Sequence, residues 1–370
     1  MAAPSPTFRR SARHSVLIVV VFFCALTASW ALVGRCLPFP AVPVVREKIE
    51  QLGRYGDEYD VLFVGSSRIY FQVLPAIFDG VVHEQGLPVR SFNAGIGAMR
   101  PPEDGYYLDQ LLRCPHRRLR WVFLEVMPLN AHNDPILTAT RRASYWHDGE
   151  RTQLLTESCF RECAAACRGA SRREIPWPEA IQTCSESLTV WLDNLRLFVD
   201  NYSSFGRGET VLRRQFGSSE ERPDSSLEKG LAWDGWAFPN IAKPWTEDPK
   251  RRTAYERAYA GLLETDQRFE EGDAVSWEAL RAKISRMTQA GVTPIMIIPP
   301  TVALKRYLPP QLAGESLAIL DFSDPRKYPE LFTLEHRLDG THLNYAGAEI
   351  FSEEIARKFL EIVKKAGPAP

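Results

Sequence analysis

The sequence predicts an α/β protein built around a parallel sheet, and three observations support this prediction. Short uninterrupted apolar runs end at turn residues, which is typical of strands that are buried on both faces. Stretches with apolar residues at helical spacing lie between these runs, and such alternation indicates βαβ units. The chain has 370 residues, of which 45% are hydrophobic, so it can bury a full globular core.

The elements follow in chain order. A polar helix is predicted first, at Val45–Tyr55. The predicted strands are Tyr59–Val64, Val89–Asn93, Trp121–Val126, Pro294–Ile298 and Ser316–Phe322. Helices are predicted between or after these strands at Gly105–Arg113, Leu280–Ala290 and Ala346–Val363. The last of these closes the chain as an amphipathic helix.

Residues 137–269 interrupt this rhythm. The region is rich in tryptophan and charge, and it contains helical stretches such as Ile181–Asn201. A long insertion of this kind between two strands is expected to form a helical cap over the edge of the sheet.

The N-terminus predicts export. Three arginines within residues 1–14 precede an uncharged apolar stretch, residues 15–34, which is about long enough to span a bilayer. The arginines favour a cytoplasmic tail at residues 1–14, a signal anchor at residues 15–34 and an exported domain at residues 38–370. The alternative is a cleaved signal peptide, since small residues flank Trp30. Both interpretations place the body of the protein outside the cytoplasm.

The charge balance excludes one class of partner. Lysine and arginine total 45 against 46 acidic residues, which gives a net charge of -1. A nucleic-acid-binding protein needs a basic face, and no long basic run is present. We therefore expect no nucleic-acid partner.

The cysteines predict disulfides. Beyond the apolar segment there are six of them: Cys36, Cys114, Cys159, Cys163, Cys167 and Cys184. An even number suits an oxidising compartment, although sequence does not reveal the pairing. Cys159, Cys163 and Cys167 recur every four residues and would share one face of a helix. A metal site is the alternative, but no CxxC motif or histidine cluster supports it. We expect at least one disulfide, within the insertion or to Cys114, and no metal.

A candidate nucleophile follows the first predicted strand. The strand runs into Gly65-Ser66-Ser67, and a glycine-containing turn after a strand raises a side chain to the carboxyl edge of the sheet. A serine at that edge is a nucleophile if a base stands beside it. The alternative is a simple helix N-cap, in which serine accepts backbone N–H bonds.

A candidate base lies near the C-terminus, in the sequence Asp339-Gly340-Thr341-His342. An aspartate three residues before a histidine can orient the imidazole and stabilise its charged form. The alternative is a surface loop in which Asp339 caps the following helix.

Together these motifs resemble those of the SGNH/GDSL hydrolase superfamily. The resemblance covers residues 59–132 and 280–363, and it implies a flavodoxin-like three-layer fold. It also implies Ser67 as the nucleophile, His342 as the base and Asp339 as its orienting partner. Asn93-Ala94-Gly95 resembles the second block of the family, so the N–H groups of Ser67 and Gly95 would form an oxyanion hole.

The chain departs from the family pattern at two places. Ser66 replaces the aspartate of the first block, which is not a triad member. The third block, G-x-N-D, is absent after the third strand, and Asn130 or Asn133 would have to replace its oxyanion asparagine. One lost oxyanion donor costs a few kcal/mol of transition-state stabilisation.

A narrower resemblance concerns exported SGNH-type proteins that work beside membrane O-acyltransferases. It rests on residues 320–347, the Gly-Ser-Ser turn and the N-terminal anchor. These relatives include proteins that help to D-alanylate teichoic acid and proteins of alginate O-acetylation. The resemblance implies a multi-span membrane acyltransferase as partner and an acylated glycan or lipid as substrate.

The expected function is therefore that of an extracytoplasmic serine esterase or O-acyltransferase on an envelope or secreted glycan, without a cofactor. One alternative is a catalytically degenerate SGNH-like scaffold, which the missing third block favours and the complete Ser/His/Asp set opposes. Another is a lipid-directed esterase held near the bilayer.

Other residues near these motifs allow two interpretations each. Glu125 is either a carboxylate of the site or a strand-end glutamate that backbone N–H groups satisfy. Arg68 either contacts a substrate anion or lies on a helix surface. The tryptophans of the insertion either stack on sugars or serve packing.

Overall fold

The computed structural model describes residues 14–15, 17–23, 25–26, 29, 42, 44–132, 141–203, 234–237, 248–264, 274–302 and 317–366. The chain divides into two compact units. One comprises residues 1–41 and 131–221 and is called here the helical unit. The other comprises residues 42–130 and 222–370 and is called the sheet unit. The predicted insertion at residues 137–269 thus contributes to both units.

The sheet unit contains a five-stranded parallel sheet in the order β2-β1-β3-β4-β5. Its strands are β1 (Val61–Val64), β2 (Ser91–Asn93), β3 (Trp121–Glu125), β4 (Thr293–Ile298) and β5 (Ala318–Asp321). The α/β class and the parallel sheet are therefore confirmed. The strand order is compatible with a flavodoxin-like fold, which uses the order 2-1-3-4-5.

Helices connect the strands and flank the sheet. They are α1 (Val45–Tyr55), α2 (Ser67–Tyr70), α3 (Pro75–Glu84), α4 (Glu103–Arg113), α7 (Pro249–Glu264), α8 (Ala274–Gln289) and α9 (Tyr345–Ala366). Two further helices, α5 (Gly149–Ser171) and α6 (Trp177–Ser203), belong to the helical unit.

The predicted first strand begins two residues too early because Asp60 lies at its amino end in a polar cluster. The buried Asp60 carboxylate binds the side chains of Arg118 and Arg120 and the backbone N–H of Arg90. These contacts fix the amino edge of the sheet. Ser316, the first residue of the predicted fifth strand, lies outside the described residues.

Alternating strand residues cover two faces of the sheet. Phe63, Phe123 and Ile295 join a buried cluster with residues of α3 and α9, such as Phe78 and Phe359. Because successive side chains point to opposite faces, the buried residues between them, such as Leu62 and Val122, lie on the other face. Helices α4 and α8 pack against each other, and α8 packs against β4.

The helical unit is formed mainly by α5 and α6, which pack against each other. Asp148 caps α5 by accepting a hydrogen bond from the N–H of Arg151 at 2.9 Å. A disulfide joins Cys163 on α5 to Cys184 on α6. The prediction of a disulfide within the insertion is thus confirmed.

Residues 17–23 are helical, and the large hydrophobic side chains from Leu17 to Phe23 are all at least half exposed. Residues 30–41, which include the end of the predicted anchor and the proline-containing spacer after it, lie outside the described residues. Within the described part of the chain, none of the helices has the length and apolar character needed to cross a membrane.

Candidate active site

The turn after β1 presents Ser67 at the start of α2. Ser66 is the N-cap of this helix, and its hydroxyl accepts a hydrogen bond from the N–H of Arg68. Gly65 leaves no room for a side chain, since a Cβ there would lie 2.4 Å from Glu125 Oε2 and from Ile69 Cγ1. The turn therefore requires glycine because of the close packing of β3 and α2 around it.

The structure brings Ser67, His342 and Asp339 together although Ser67 lies 275 residues from His342. Ser67 Oγ is 2.8 Å from His342 Nε2. His342 Nδ1 is 2.8 Å from Asp339 Oδ2. An ionised carboxylate can only accept hydrogen bonds, so Nδ1 carries the proton and Nε2 accepts from the serine hydroxyl. This is the geometry of a nucleophile, its base and the group that orients the base.

Asp339 is held in its ionised form. Burial acts to raise the pKa of this carboxyl group. The hydrogen bond and charge of His342, together with the N–H groups of Thr341 and His342, lower it by more, so the net pKa lies below the ordinary value. The two N–H groups donate to Asp339 Oδ1 at 2.6 and 2.7 Å, while Oδ2 receives the imidazole. Every contact of this carboxylate therefore favours its charged form.

Arg337 supports the loop that carries Asp339 and His342, which is called here the histidine loop. Its side chain is 1% exposed and donates to the carbonyl groups of four residues, which are Pro300, Leu331, Asp339 and Gly340. Burial lowers the pKa of its guanidinium to about 10, so it remains charged at neutral pH. The sequence does not single out this residue, because an arginine in a polar loop looks like a surface residue.

Direct hydrogen bonds also join the nucleophile side of the site to the histidine loop. Gln72, just after α2, donates from Nε2 to the carbonyl of Thr341 at 3.2 Å. Ser352 on α9 accepts from the N–H of Leu74 at 2.9 Å. The segment after α2 is thus tied both to the loop of His342 and to α9.

Glu125, at the end of β3, holds the turn Gly65-Ser66-Ser67, which is called here the nucleophile turn. The buried carboxylate accepts hydrogen bonds from the N–H and the hydroxyl of Ser66. It also forms an ion pair with Arg68 at 2.7 Å, with both side chains largely removed from solvent. Glu125 is thus part of the site region, and the surface position considered for Arg68 is wrong: this arginine is buried against Glu125.

The structure does not offer Gly95 as an oxyanion donor. Its N–H donates to Asn93 Oδ1 at 2.9 Å, and its carbonyl accepts from the buried Lys48. The role predicted for this N–H therefore needs correction, since the side chain of Asn93 already occupies it.

Gly97 is a second candidate donor in the same loop. The N–H of Ile96 donates to the carbonyl of Gly65 at 2.9 Å, which places the following residue next to the nucleophile turn. Gly97 is partly exposed, and neither its N–H nor that of Ser67 has a hydrogen-bond partner within the described part of the chain. The sequence does not reveal which N–H groups of the Asn93-Ala94-Gly95-Ile96-Gly97 stretch are used within the fold.

Asn130 lies after β3, and its backbone N–H donates to the carbonyl of Pro101 at 3.3 Å. In the described part of the chain it is not a hydrogen-bond partner of Ser67 or His342. Asn133, the other candidate for the missing oxyanion asparagine, lies outside the described residues.

Among the residues that the structure describes, one group of three cysteines has a spacing that would suit a metal ion. The sulfur atoms of Cys163, Cys167 and Cys184 all lie within 4.8 Å of one another, in the helical unit. Two of them form the disulfide, and a disulfide sulfur is not the thiolate that metals bind. The group therefore fits a disulfide with a neighbouring thiol better than a metal centre.

The arrangement of these groups is the one that nucleophilic acyl transfer by a serine requires. The serine hydroxyl, the base and the orienting carboxylate form one hydrogen-bonded chain at the carboxyl edge of the parallel sheet. Comparison with models of known protein families finds no match, and comparison with curated protein sequences finds no significant match. The geometry of the site is therefore the main guide to the function.

Proposed function

We propose that this protein is a serine esterase or O-acyltransferase of the SGNH/GDSL class that acts on acyl groups of an envelope or secreted glycan. The single observation that carries the proposal is the continuous hydrogen-bonded chain Ser67–His342–Asp339. The strand order β2-β1-β3-β4-β5 also supports it, because ligands of such sheets bind at the carboxyl edge where the strand order reverses. Ser67 follows β1 and Glu125 ends β3, the two strands on either side of this reversal.

The proposed reaction has two steps. Ser67 Oγ attacks the ester carbonyl while His342 Nε2 accepts the hydroxyl proton, and Asp339 stabilises the resulting imidazolium. The N–H groups of Ser67 and Gly97 bind the developing oxyanion. The tetrahedral intermediate then expels the alcohol, which takes the proton from His342, and leaves an acyl-serine. In the second step His342 deprotonates water or a sugar hydroxyl, whose oxygen attacks the acyl carbonyl; the bond to Ser67 Oγ then breaks, and this oxygen takes the proton back from His342.

A fluorophosphonate probe tests the chemistry, because it reacts only with an activated serine. We expect labelling of the full-length protein to disappear in Ser67→Ala and to fall at least a hundredfold in His342→Ala. His83→Ala, which changes an exposed histidine at the end of α3, should label like the wild type. Equal labelling of the wild type and Ser67→Ala would contradict the proposal.

The alternative, a degenerate SGNH-like scaffold, is favoured by the absent G-x-N-D block. It predicts a folded protein whose Ser67 is not labelled and whose Ser67→Ala variant still supports polymer modification in cells. The esterase proposal predicts that the same variant abolishes modification. The two functions are therefore separated by one variant and two measurements.

We also propose that the protein is anchored in the cell membrane by residues 15–34, with the site on the extracytoplasmic side and a multi-span membrane acyltransferase as partner. The exposed apolar side chains of the helical residues 17–23 support this, since such a surface is unfavourable in water. A reporter fused after Pro370 should be active only outside the cytoplasm. Cytoplasmic activity of the fusion would contradict this topology.

A further inference from the structure

A short segment of the insertion, residues 234–237, lies on the carboxyl end of β2 within the sheet unit. The carbonyl of Asp234 accepts a hydrogen bond from the N–H of Asn93 at 2.8 Å. Gly235 has a φ of 80°, and a Cβ on it would lie 2.3 Å from the carbonyl oxygen of Asn93. The segment thus approaches the strand as closely as only glycine allows.

This segment holds Trp236 beside the nucleophile helix. The backbone N–H of Trp236 donates to Asp234 Oδ1 at 3.1 Å. Its indole N–H donates to the carbonyl of Phe71, the residue directly after α2, at 3.2 Å. The ring of Phe71 in turn lies 5.9 Å from the imidazole of His342, edge to face. Trp236 is therefore held through its backbone N–H and through its indole N–H. Phe71 links it to the catalytic histidine, His342.

Tyr345 completes the arrangement. It is the first residue of α9, three positions after His342, and its side chain is among the exposed aromatic groups at 45%. Its ring centroid lies 6.0 Å from that of Trp236, with the two planes at 71°. Trp236 and Tyr345 form what is called here the aromatic corner, two ring planes nearly at right angles beside the triad.

We propose that the aromatic corner is the subsite that binds the sugar ring of the acylated glycan; this inference rests on the proposed function. A pyranose carries an apolar C–H face and a polar rim of hydroxyl groups. Tryptophan and tyrosine match both, since each combines a large apolar ring with a polar end. The indole is already held by its hydrogen bonds, so little side-chain freedom is lost when a sugar packs against it.

The position of the corner decides which part of the substrate it meets. Phe71 connects it to His342, the group that returns a proton to the departing sugar oxygen. A sugar ring attached to that oxygen lies on the histidine side of the ester. An acyl chain instead extends from the carbonyl carbon that Ser67 attacks. The link to His342 through Phe71 and the position of Tyr345, three residues after His342, therefore favour the sugar over the acyl chain.

The test compares two esters that share an acetyl group. Acetate release from a peracetylated methyl glucoside and from ethyl acetate is measured for the wild type, Trp236→Ala and Tyr345→Ala, with fluorophosphonate labelling as a measure of the triad. We expect Trp236→Ala to lower kcat/KM for the sugar ester about tenfold, mainly through KM. Ethyl acetate turnover and labelling should remain unchanged. Trp177→Ala, which removes an exposed tryptophan of the helical unit, is the matched control.

Two outcomes of this comparison would overturn the proposal. Equal losses for both esters would mean that Trp236 only supports the fold of the site. A changed preference between ethyl acetate and ethyl octanoate, with the sugar ester unaffected, would assign the corner to the acyl chain.

Binding to the inactive Ser67→Ala variant separates this proposal from the proposed function. Saturation-transfer NMR with the acetylated glucoside should show binding in Ser67→Ala and loss of binding in the Ser67→Ala, Trp236→Ala double variant. Binding that depends on Trp236 without any Ser67 labelling in the wild type would retain the subsite and reject the esterase. Labelling of Ser67 without binding of the sugar would reject the subsite alone.

Discussion

At the scale of single residues, the site depends on buried charges that support the reacting groups from behind. Arg337 holds the histidine loop through four carbonyl groups, and Glu125 holds the nucleophile turn through Ser66 and Arg68. Neither charged group belongs to the triad. Their burial means that each must keep its partners, because an unpaired charge in this environment costs several kcal/mol.

Glu125→Gln tests this support. The substitution keeps the shape of the side chain but leaves the Arg68 guanidinium, with 9% of its side chain exposed, without its counter-charge. We expect the free energy of unfolding in urea to fall by about 3–5 kcal/mol. Glu361→Gln, which removes an exposed carboxylate paired with Lys358 on α9, should leave it unchanged. If the ion pair is the cause, adding Arg68→Met to Glu125→Gln should recover much of the loss; no recovery would contradict this explanation.

The lowered pKa of Asp339 predicts that the stability of the folded protein depends on pH. Its pKa is lower in the folded protein than the ordinary value near 3.9 of an unfolded chain. A lowered folded pKa gives stability that is present above the unfolded pKa and is lost as the pH falls through the folded value. Asp339→Asn should therefore be less stable than the wild type from pH 7 to about pH 5, and the gap should close below about pH 4. Urea unfolding across this range measures it, and a gap that persists in acid would contradict the prediction.

At the scale of elements, the proposed function depends on two connections, each of which leads from a strand to a later helix. The turn from β1 into α2 presents Ser67, and the loop before α9 presents His342. Each connection is tightly packed: Gly65 lies against Glu125 and Ile69, and Gly340 is held by Arg337 and Thr301. Little freedom remains for either reacting side chain, which favours a preformed site.

Gly65→Ala should disturb the first connection. Its Cβ would lie 2.4 Å from Glu125 Oε2 and Ile69 Cγ1, so the turn must shift or the neighbours must move. We expect a loss of about 1–3 kcal/mol in unfolding free energy and at least a tenfold loss of fluorophosphonate labelling. Gly53→Ala in α1, where nothing lies within 4 Å, should instead stabilise by about 0.5–1 kcal/mol and label normally. Normal labelling in Gly65→Ala would show that the turn tolerates a side chain.

At the scale of the whole molecule, the chain combines a sheet unit that carries the site with a helical unit that a disulfide closes. Cys184 on α6 has two sulfur neighbours on α5, one turn apart. It is bonded to Cys163, while Cys167 Sγ lies 3.7 Å away. The free thiol of Cys167 is therefore placed to take over the disulfide if Cys163 is removed.

The cysteine variants should accordingly differ. Cys184→Ser removes the disulfide that spans 21 residues and should lower the stability of the helical unit by about 3 kcal/mol. Cys163→Ser should lower it less, because Cys167 and Cys184 can then pair. Unreduced peptide mapping should find the new pair, and hydrogen exchange in α5 and α6 measures the stability. Equal destabilisation without a new pair would contradict the prediction, and Cys114→Ala serves as the control in the sheet unit.

The sequence by itself determined the class of fold, since buried parallel strands and amphipathic helices carry distinct patterns along the chain. Runs such as Trp121–Val126 match β3 within a residue, and the two short motifs of the triad were singled out by their joint resemblance to those of a hydrolase superfamily. Both signals are local, and local pattern is what a sequence displays.

Only the tertiary structure decided which groups face one another. It showed that the N–H of Gly95 donates to the side chain of Asn93, and that Arg68 is buried against Glu125. It also placed Trp236, from an insertion without a recognisable motif, beside Tyr345. These contacts join positions up to 165 residues apart, as between Trp236 and Phe71, and depend on how strands are ordered and loops packed. Spacing along the chain carries no record of such proximity.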